Sequence, residues 1–230
     1  MRTFLRKIVA AVFLRIQGWL DPEETYRREF FQRAFRAVAF NGISGDYAEF
    51  GCWSGTTFKL AYRESRRFGY PCKMWAFDSF QGLPAPKGPF DEHPIWVAGN
   101  MNMSLDRFHE VCAANRIPRS AYETVPGFYE RTLANPAAPG LPTDISLAFI
   151  DCDLYSSASA VLRFLMPRLK HGMILAFDDY FCWSSNQVSG ERRASLELLG
   201  SHPRWGLVSY VQFGWAGMSF VVEDKQLLPK

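Results

Sequence analysis

The stretch that decides the fold is residues 147–180, which begins Leu147-Ala148-Phe149-Ile150-Asp151-Cys152-Asp153 and ends Ile174-Leu175-Ala176-Phe177-Asp178-Asp179-Tyr180. Two apolar runs of strand length each finish in a pair of acids, and the segment between them has room for one crossover helix. The pattern predicts a βαβ unit of a parallel sheet. Both acidic pairs then reach the same sheet edge, which is where open parallel sheets bind their ligands.

Four carboxylates gathered at one edge repel one another unless protons or a cation intervene. We therefore predict a divalent cation near Asp151, Asp153, Asp178 and Asp179. Oxygen ligands favour a hard ion such as Mg²⁺, Mn²⁺ or Ca²⁺ over zinc. The alternative is that one acid of each pair caps the next helix or turns the chain.

Composition predicts one globular domain without a nucleic-acid partner. The 230 residues are 48% hydrophobic, enough for a substantial core, and the net charge is only +3 with the basic residues scattered. Five cysteines lack the spacing of a metal site. They predict reduced thiols and a cytoplasmic location.

The N-terminus resembles a signal peptide, but its apolar run at residues 8–14 is interrupted by Arg15 and is too short to span a bilayer. We predict no transmembrane segment. Residues 3–20 are predicted to form an amphipathic helix that packs on the body or on a second subunit, with attachment to a membrane surface as the alternative. Residues 1–42 are assigned to an N-terminal helical extension and residues 43–230 to the main domain.

The first strand of the sheet is predicted at residues 47–50, and a glycine-containing turn, residues 51–55, leads from it into a helix that ends near Arg66. Such a turn lets a ligand approach the backbone, and the N–H groups of the helix N-terminus favour a carboxylate or phosphate. The spacing of Gly51 and Gly55 does not match the dinucleotide-binding fingerprint.

A second strand, residues 74–77, ends in Asp78. An acid at this place in a nucleotide-binding fold accepts hydrogen bonds from ribose hydroxyls. Together, Glu49, Gly51, Gly55 and Asp78 suit a cofactor that carries adenosine. A helix cap is the alternative role for Asp78.

The remaining elements follow from apolar periodicity and from turn residues. Residues 81–101 are rich in proline and glycine and are predicted to form a lid, in which His93 is an alternative base; residues 181–187 are a second candidate substrate loop. Helices are predicted at residues 22–40, 104–115, 130–133 and 189–199, a third strand at 122–125, and an antiparallel pair at 207–213 and 218–222.

Five motifs in this order resemble the macrocin-type (TylF-like) sugar O-methyltransferases, which depend on S-adenosylmethionine and Mg²⁺. The motifs are residues 49–55, 77–84, 127–128, 150–155 and 177–180. The resemblance implies a class I methyltransferase fold, a Rossmann-like, doubly wound α/β sheet with an antiparallel C-terminal strand pair.

The resemblance also implies roles for individual residues. Asp151, Asp178 and Asp179 would hold Mg²⁺, and Asp153, with Asp151 beside it, would be the general base of catalysis. The implied cofactor-binding residues are Glu49, Gly51, Trp53, Ser54, Gly55, Asp78, Ser79, Gly127, Phe128 and Asp151.

The implied reaction is methylation of a sugar hydroxyl of a glycoside, a natural product such as an antibiotic, or a glycan. A cation would lower the pKa of the hydroxyl and a carboxylate would take its proton. Two hydroxyls on neighbouring carbons, both bound to the cation, would fix the acceptor, so a vicinal diol is the predicted acceptor. Aromatic residues in the first helix favour a homo-oligomer. Two alternatives are a Mg²⁺-dependent phosphatase of the haloacid-dehalogenase type and a non-catalytic domain that binds the cofactor.

Overall fold

A computed structural model describes residues 22–229. The predicted helix over residues 3–20 lies outside the described residues. The helices are α1 (Pro22–Phe40), α2 (Thr56–Arg67), α3 (Leu105–Ala114), α4 (Tyr129–Thr132), α5 (Tyr155–Leu165) and α6 (Gly190–Leu199). The strands are β1 (Asp46–Phe50), β2 (Met74–Asp78), β3 (Tyr122–Pro126), β4 (Ile145–Ile150), β5 (Ile174–Phe177), β6 (Trp205–Phe213) and β7 (Gly217–Asp224).

The seven strands form one sheet in the order β3-β2-β1-β4-β5-β7-β6. The first five strands in this order are parallel, and β7 pairs antiparallel with both β5 and β6. The strand order reverses between β1 and β4. Since parallel α/β sheets bind ligands beyond the carboxyl ends of the strands at such a reversal, this position fixes where a site is expected.

Apolar side chains fill both faces of the sheet, which explains why the central strands are almost continuously hydrophobic. Helices α1, α2 and α3 cover one face, and α4, α5 and α6 cover the other. Alternation along β1 divides its side chains between the faces, with Tyr47 in the first cluster and Ala48 and Phe50 in the second. This is the doubly wound arrangement that the sequence predicted.

Helix α1 is packed into the core, although the sequence assigned it to an extension. Helical spacing predicts a core-facing stripe of Phe30, Phe31, Ala34, Phe35, Val38 and Ala39. The structure buries all of these except Ala39, which is exposed. The ring of Phe30 stacks on Phe213 of β6 at a centroid distance of 4.7 Å. Each buried phenylalanine stabilises the fold by about 1.5–3 kcal/mol, so α1 is held firmly over the sheet.

The element boundaries agree with the sequence within two or three residues. The C-terminal pair is longer than predicted, because β6 begins at Trp205 and β7 ends at Asp224. All five cysteines are free, as expected. Among residues 22–229, no helix has both the length and the apolar character needed to cross a bilayer.

Candidate active site

The acidic residues meet at the carboxyl edge of the sheet because their strands end in register. Ile150 of β4 lies beside Phe50 of β1 and Phe177 of β5, so Asp151 and Asp178 follow neighbouring strand ends. One oxygen atom from each of Asp151, Asp153 and Asp179 lies within 4.8 Å of the others. We call these three residues the acid cluster.

Asp178 is oriented differently from the acid cluster. Its Oδ1 accepts a hydrogen bond from Nε of Arg27 at 3.0 Å, and its Oδ2 accepts a second from the same guanidinium. The pair is largely buried, with 22% of the Arg27 side chain and 11% of the Asp178 side chain exposed. The three acids that converge are therefore not the three that the resemblance assigned to the metal, because Asp153 takes the place of Asp178.

Burial and mutual repulsion disfavour ionisation of the acid cluster. Burial raises the pKa of Asp151 well above its ordinary value, and the charge of Asp178 raises it further while Arg27 opposes the rise. Burial and the neighbouring Asp179 raise the pKa of Asp153, and burial also raises that of Asp179. Such a set of buried oxygens is stabilised in its ionised form by a cation.

The backbone of Asp153 has a left-handed conformation with φ of 60°. Aspartate tolerates this region better than most residues, but a non-glycine residue there still costs about 1 kcal/mol or more. The turn directs the chain from β4 into α5, which begins two residues later at Tyr155. Backbone strain of this kind concentrates at functional sites, which agrees with the role predicted for Asp153.

The turn after β1 lies directly against the acidic turn after β4. A Cβ atom on Gly51, whose φ is +95°, would lie 1.6 Å from the carbonyl oxygen of Asp151. Glycine is therefore required at this position by the neighbouring backbone, whereas the sequence argument gave ligand approach as the reason. Gly55 has φ of 70° and occupies the N-cap of α2.

Asp78 fixes the same turn from the other side. Its Oδ2 accepts hydrogen bonds from the backbone N–H of Cys52 at 2.7 Å and of Trp53 at 3.3 Å. Its Oδ1 accepts one from the N–H of Phe80 at 2.7 Å. These three donors lie in two loops and not in the first turn of a helix, so Asp78 fixes the turn after β1 and does not cap a helix through them.

Glu49 is completely buried at the end of β1. Its Oε2 accepts a hydrogen bond from the Tyr47 hydroxyl at 2.5 Å, whereas its Oε1 has no hydrogen-bond partner among the described residues. Burial raises the pKa of Glu49 to about 8, although the Tyr47 bond and the charge of Arg27 lower it. The side chain lines neither of the two cavities described next.

Two adjoining cavities open at this edge. The larger has a volume of about 870 Å³ and contacts the acid cluster, Asp178, Arg27 and the predicted residues Trp53 and Ser54. The smaller, about 80 Å³, is lined by six of the residues predicted to bind a cofactor together with Asp151: Gly51, Trp53, Asp78, Ser79, Gly127 and Phe128. Gly51, Trp53, Asp151 and Asp153 line both cavities, so they form the boundary between them.

Both predicted substrate loops border the larger cavity. His93 and Trp96 line it from the first loop, where their rings stack at a centroid distance of 4.0 Å, and burial lowers the pKa of His93. From the second loop come Phe181, Cys182 and Trp183.

The first loop is anchored by a buried carboxylate. Oδ1 of Asp91 accepts the backbone N–H of Ser156 in the first turn of α5 at 2.8 Å, and its Oδ2 accepts that of Lys87 at 2.8 Å. The loop therefore already lies over the site, and its closure around a substrate remains a prediction.

With this geometry in place, comparison with known proteins identifies the family. A family model described as Macrocin-O-methyltransferase (TylF) matches residues 25–194. The chain belongs to this family. The matched range contains Arg27, the four aspartates and both predicted substrate loops, and it confirms the resemblance drawn from the five motifs.

Two curated members of natural-product pathways are related to this TylF-family chain. The 8-demethyl-8-(2,3-dimethoxy-alpha-L-rhamnosyl)-tetracenomycin-C 4'-O-methyltransferase of Streptomyces olivaceus is 29% identical over 170 residues, which cover 67% of this chain and 60% of that protein. The demethyldecarbamoylnovobiocin O-methyltransferase of Streptomyces niveus is 27% identical over 186 residues, covering 75% and 67%. The chain thus spans three fifths to two thirds of the length of these relatives.

Solved structures confirm the class I methyltransferase fold for this TylF-family chain. The O-methyltransferase NovP superposes with a TM-score of 0.66 at 21% identity, over 85% of this chain and 79% of that one. The calicheamicin methyltransferase CalS11 gives a TM-score of 0.67 at 22% identity, over 84% and 77%.

Sequence reasoning missed several residues of this TylF-family site. The pattern of the helix that contains Arg27 indicated only which side chains face the core. Nothing in the sequence indicated that Arg27 pairs with Asp178, 151 residues later. Gln212 and Trp215 reach the larger cavity from the C-terminal strand pair. A sequence signal existed for Trp215, because Gly214 and Gly217 flank an exposed aromatic in a tight turn.

Proposed function

We propose that this protein is an O-methyltransferase that uses S-adenosylmethionine and a divalent cation to methylate a sugar hydroxyl of a glycoside, natural product or glycan. The observation that carries the proposal is the acid cluster at the boundary between two cavities, one lined by Gly51 and Asp78 and the other by aromatic loops. Family membership supports methyl transfer, and the two relatives, named for a rhamnosyl-tetracenomycin and a novobiocin precursor, support a natural product as acceptor.

The residues around the smaller cavity fit the proposed cofactor. An ionised carboxylate has about four acceptor positions, and three backbone N–H groups bind Asp78, which leaves capacity for a ribose hydroxyl. Oε1 of Glu49, near the end of β1, has no hydrogen-bond partner among the described residues, and we keep Glu49 in the proposed set. S-adenosylmethionine supplies an electrophilic methyl group when it is bound.

The chemistry of the acid cluster fits a hard divalent cation such as Mg²⁺. Asp151, Asp153 and Asp179 present oxygen atoms at mutual distances that one ion can bridge, and burial together with repulsion between neighbouring carboxylates raises their pKa values. A divalent cation supplies the charge that lowers the pKa of an adjacent hydroxyl. The resemblance assigns Asp178 to the cation as well. Because Asp178 pairs with Arg27, replacing Arg27 and measuring cation affinity tests that assignment.

Asp153 is the proposed general base. It lies at the boundary of both cavities, where an acceptor hydroxyl meets the cofactor, and its backbone is fixed in an unusual conformation. Burial and the neighbouring Asp179 raise the pKa of Asp153, and a carboxylate within hydrogen-bond reach of a hydroxyl can accept its proton. His93 remains the alternative base because it also lines the larger cavity.

The larger cavity suits a sugar that carries a further group. Its volume of about 870 Å³ is lined by Trp96, Phe181, Trp183 and Trp215, and aromatic faces pack well against the apolar faces of sugar rings. A vicinal diol fits because two neighbouring hydroxyls can approach the acid cluster together. All five cysteines are free, which supports the proposed cytoplasmic location.

Neither alternative accounts for the observations as well. A phosphatase would give no role to the smaller cavity, which Gly51 and Asp78 line. The family to which the chain belongs is also one of O-methyltransferases. A non-catalytic domain would give no role to the three converging acids Asp151, Asp153 and Asp179.

The test is transfer of an isotopically labelled methyl group from S-adenosylmethionine to rhamnosides. Each rhamnoside that has a free vicinal diol is compared with an analogue that lacks one of the two hydroxyls. Every acceptor is assayed once with Mg²⁺ and once with chelator. We expect transfer to the diols alone, lost with chelator and with Asp151→Asn but kept with Asp144→Asn. Asp144 is the matched control, because it is an exposed acid at the opposite end of β4 that pairs with Lys170.

Transfer that survives chelation would contradict the proposed role of the cation. Binding of S-adenosylmethionine without transfer to any acceptor would favour the non-catalytic alternative.

A further inference from the structure

Glu191 is a buried carboxylate in the first turn of α6 that contacts both acidic turns. Its Oε1 accepts the backbone N–H of Cys152, between Asp151 and Asp153, at 3.1 Å. Its Oε2 accepts the backbone N–H of Asp179 at 3.0 Å. The Glu191 side chain of α6 thereby joins the turn that follows β4 to the turn that follows β5.

The residues before Glu191 bring α6 unusually close to these turns. A Cβ atom on Gly190 would lie 2.3 Å from the backbone nitrogen of Tyr155 and 2.9 Å from the carbonyl oxygen of Asp153. The hydroxyl of Ser189 donates a hydrogen bond to the carbonyl oxygen of Tyr180 at 3.0 Å and caps α6 by accepting the N–H of Arg192. Ser189, Gly190 and Glu191 together fix the helix N-terminus against both turns.

Both oxygens of Glu191 are engaged by backbone donors, and the side chain is completely buried and lines neither cavity. It is therefore not placed to bind a cation or an acceptor itself. The three acids of the cluster repel one another when ionised, so the turns that carry them would separate unless other contacts held them. Hydrogen bonds that an ionised carboxylate accepts from backbone N–H groups are among the stronger hydrogen bonds in proteins.

We propose that Glu191 is a positioning residue, which holds the turns after β4 and β5 at the spacing where Asp151, Asp153 and Asp179 converge, so that the cation site is built by the fold itself. The proposal rests on the cation-dependent function proposed above. It assigns to α6 a role in the site that the sequence, which indicated only a helix at residues 189–199, did not reveal.

The test compares Glu191→Gln with Glu197→Gln. Glutamine keeps the volume, but it offers one acceptor oxygen where the carboxylate offers two, and its NH₂ group would face a backbone N–H. Glu197 is the matched control because it lies on the same helix, 48% of its side chain is exposed, and its partners are the side chains of Tyr155 and Arg193. Mn²⁺ alone is titrated into each purified protein by calorimetry, and amide hydrogen exchange is measured without metal.

For Glu191→Gln we expect Mn²⁺ affinity to fall tenfold or more and the amides of Cys152 and Asp179 to exchange at least tenfold faster. Glu197→Gln should stay within twofold of the wild type in both measurements, and both variants should bind S-adenosylmethionine within twofold. Unchanged Mn²⁺ affinity and unchanged exchange in Glu191→Gln would overturn the proposal.

If Glu191→Gln does not fold, Ser189→Ala tests the same claim, because it removes the cap and the bond to Tyr180 while leaving the carboxylate. A loss of Mn²⁺ affinity of about threefold is expected, and no loss would overturn the proposal. Failure of the wild type to bind Mn²⁺ would instead overturn the cation-dependent function, and with it the role of Glu191 in building that site.

Discussion

Replacing Arg27 with glutamine tests how charge is balanced beside the acid cluster. Arg27 reaches from α1 to Asp178 through two hydrogen bonds, and the charge of Asp151 contributes to its raised pKa although burial opposes it. Glutamine removes the positive charge and keeps much of the side-chain length. The variant should therefore be less stable and should bind a divalent cation more tightly, because four aspartates then lack a neighbouring positive charge.

The size of the stability effect follows from burial. Removing one partner of a fully buried ion pair costs about 3–5 kcal/mol, and an exposed pair contributes about 1 kcal/mol or less. With 22% and 11% of the side chains exposed, the pair lies nearer the buried limit, and we expect a loss of about 2–3 kcal/mol. For a chain of this length that corresponds to a fall in Tm of about 5–10 °C.

The assay is thermal unfolding of Arg27→Gln and Arg28→Gln over a series of Mg²⁺ concentrations. Arg28 is the matched control because it is the next residue of α1 and is exposed. A ligand that binds the native state more tightly restores more stability, so the deficit of Arg27→Gln should shrink as Mg²⁺ is added. If Arg27→Gln bound Mg²⁺ more weakly than the wild type, Arg27 would organise Asp178 for the cation, and the charge argument would be refuted.

Three further predictions concern single carboxylates. Asp78→Asn leaves one acceptor oxygen where two now serve three backbone donors, so affinity for S-adenosylmethionine should fall by about tenfold or more and Tm by about 5 °C; equal affinity in calorimetry would exclude Asp78 from the cofactor site. Asp153→Asn should lower kcat by a factor of about 10² or more, because it removes the proposed base, while cofactor affinity stays within twofold; retained turnover in single-turnover kinetics would move the role to His93. For Glu49, burial raises the pKa from 4.5 to about 8, so its contribution to stability is present below pH 4.5 and is lost as pH rises through 8. Glu49→Gln should flatten that part of the pH dependence in urea unfolding, and an unchanged profile between pH 5 and 9 would contradict the raised pKa.

The sequence was sufficient to predict those residues of the candidate site that lie at the carboxyl ends of strands. Asp78, Asp151 and Asp178 each follow a short apolar run, and the geometry of a parallel sheet brings such residues to one edge whatever the details of packing. The glycine at position 51 was also recognisable as special. The sequence does not show the physical reason for that glycine. The carbonyl of Asp151, which follows the neighbouring strand β4 one hundred residues later, leaves no room for a Cβ atom at position 51.

The sequence was insufficient wherever a helix contributes one polar side chain to a distant turn. Arg27 and Glu191 lie on amphipathic helices among other charged residues, and local periodicity assigns them to a face without naming a partner. Their roles depend on how α1 and α6 pack on the sheet, which is set by contacts such as Phe30 on Phe213 and Gly190 against Tyr155. The sequence placed Asp151, Asp153 and Asp179 together with Asp178 at one sheet edge, but it did not show that Asp178 pairs with Arg27 while the other three converge.

The central claim is that S-adenosylmethionine, beside Gly51 and Asp78, and a cation, at the acid cluster, bind as separate and neighbouring ligands. The most direct test is calorimetric titration of the wild type with S-adenosylmethionine and with its demethylated product, in Mg²⁺ and in chelator. The account predicts binding of both compounds with dissociation constants of order micromolar, and a separate binding event for the metal that Asp151→Asn removes. Failure of both compounds to bind under either condition would contradict it.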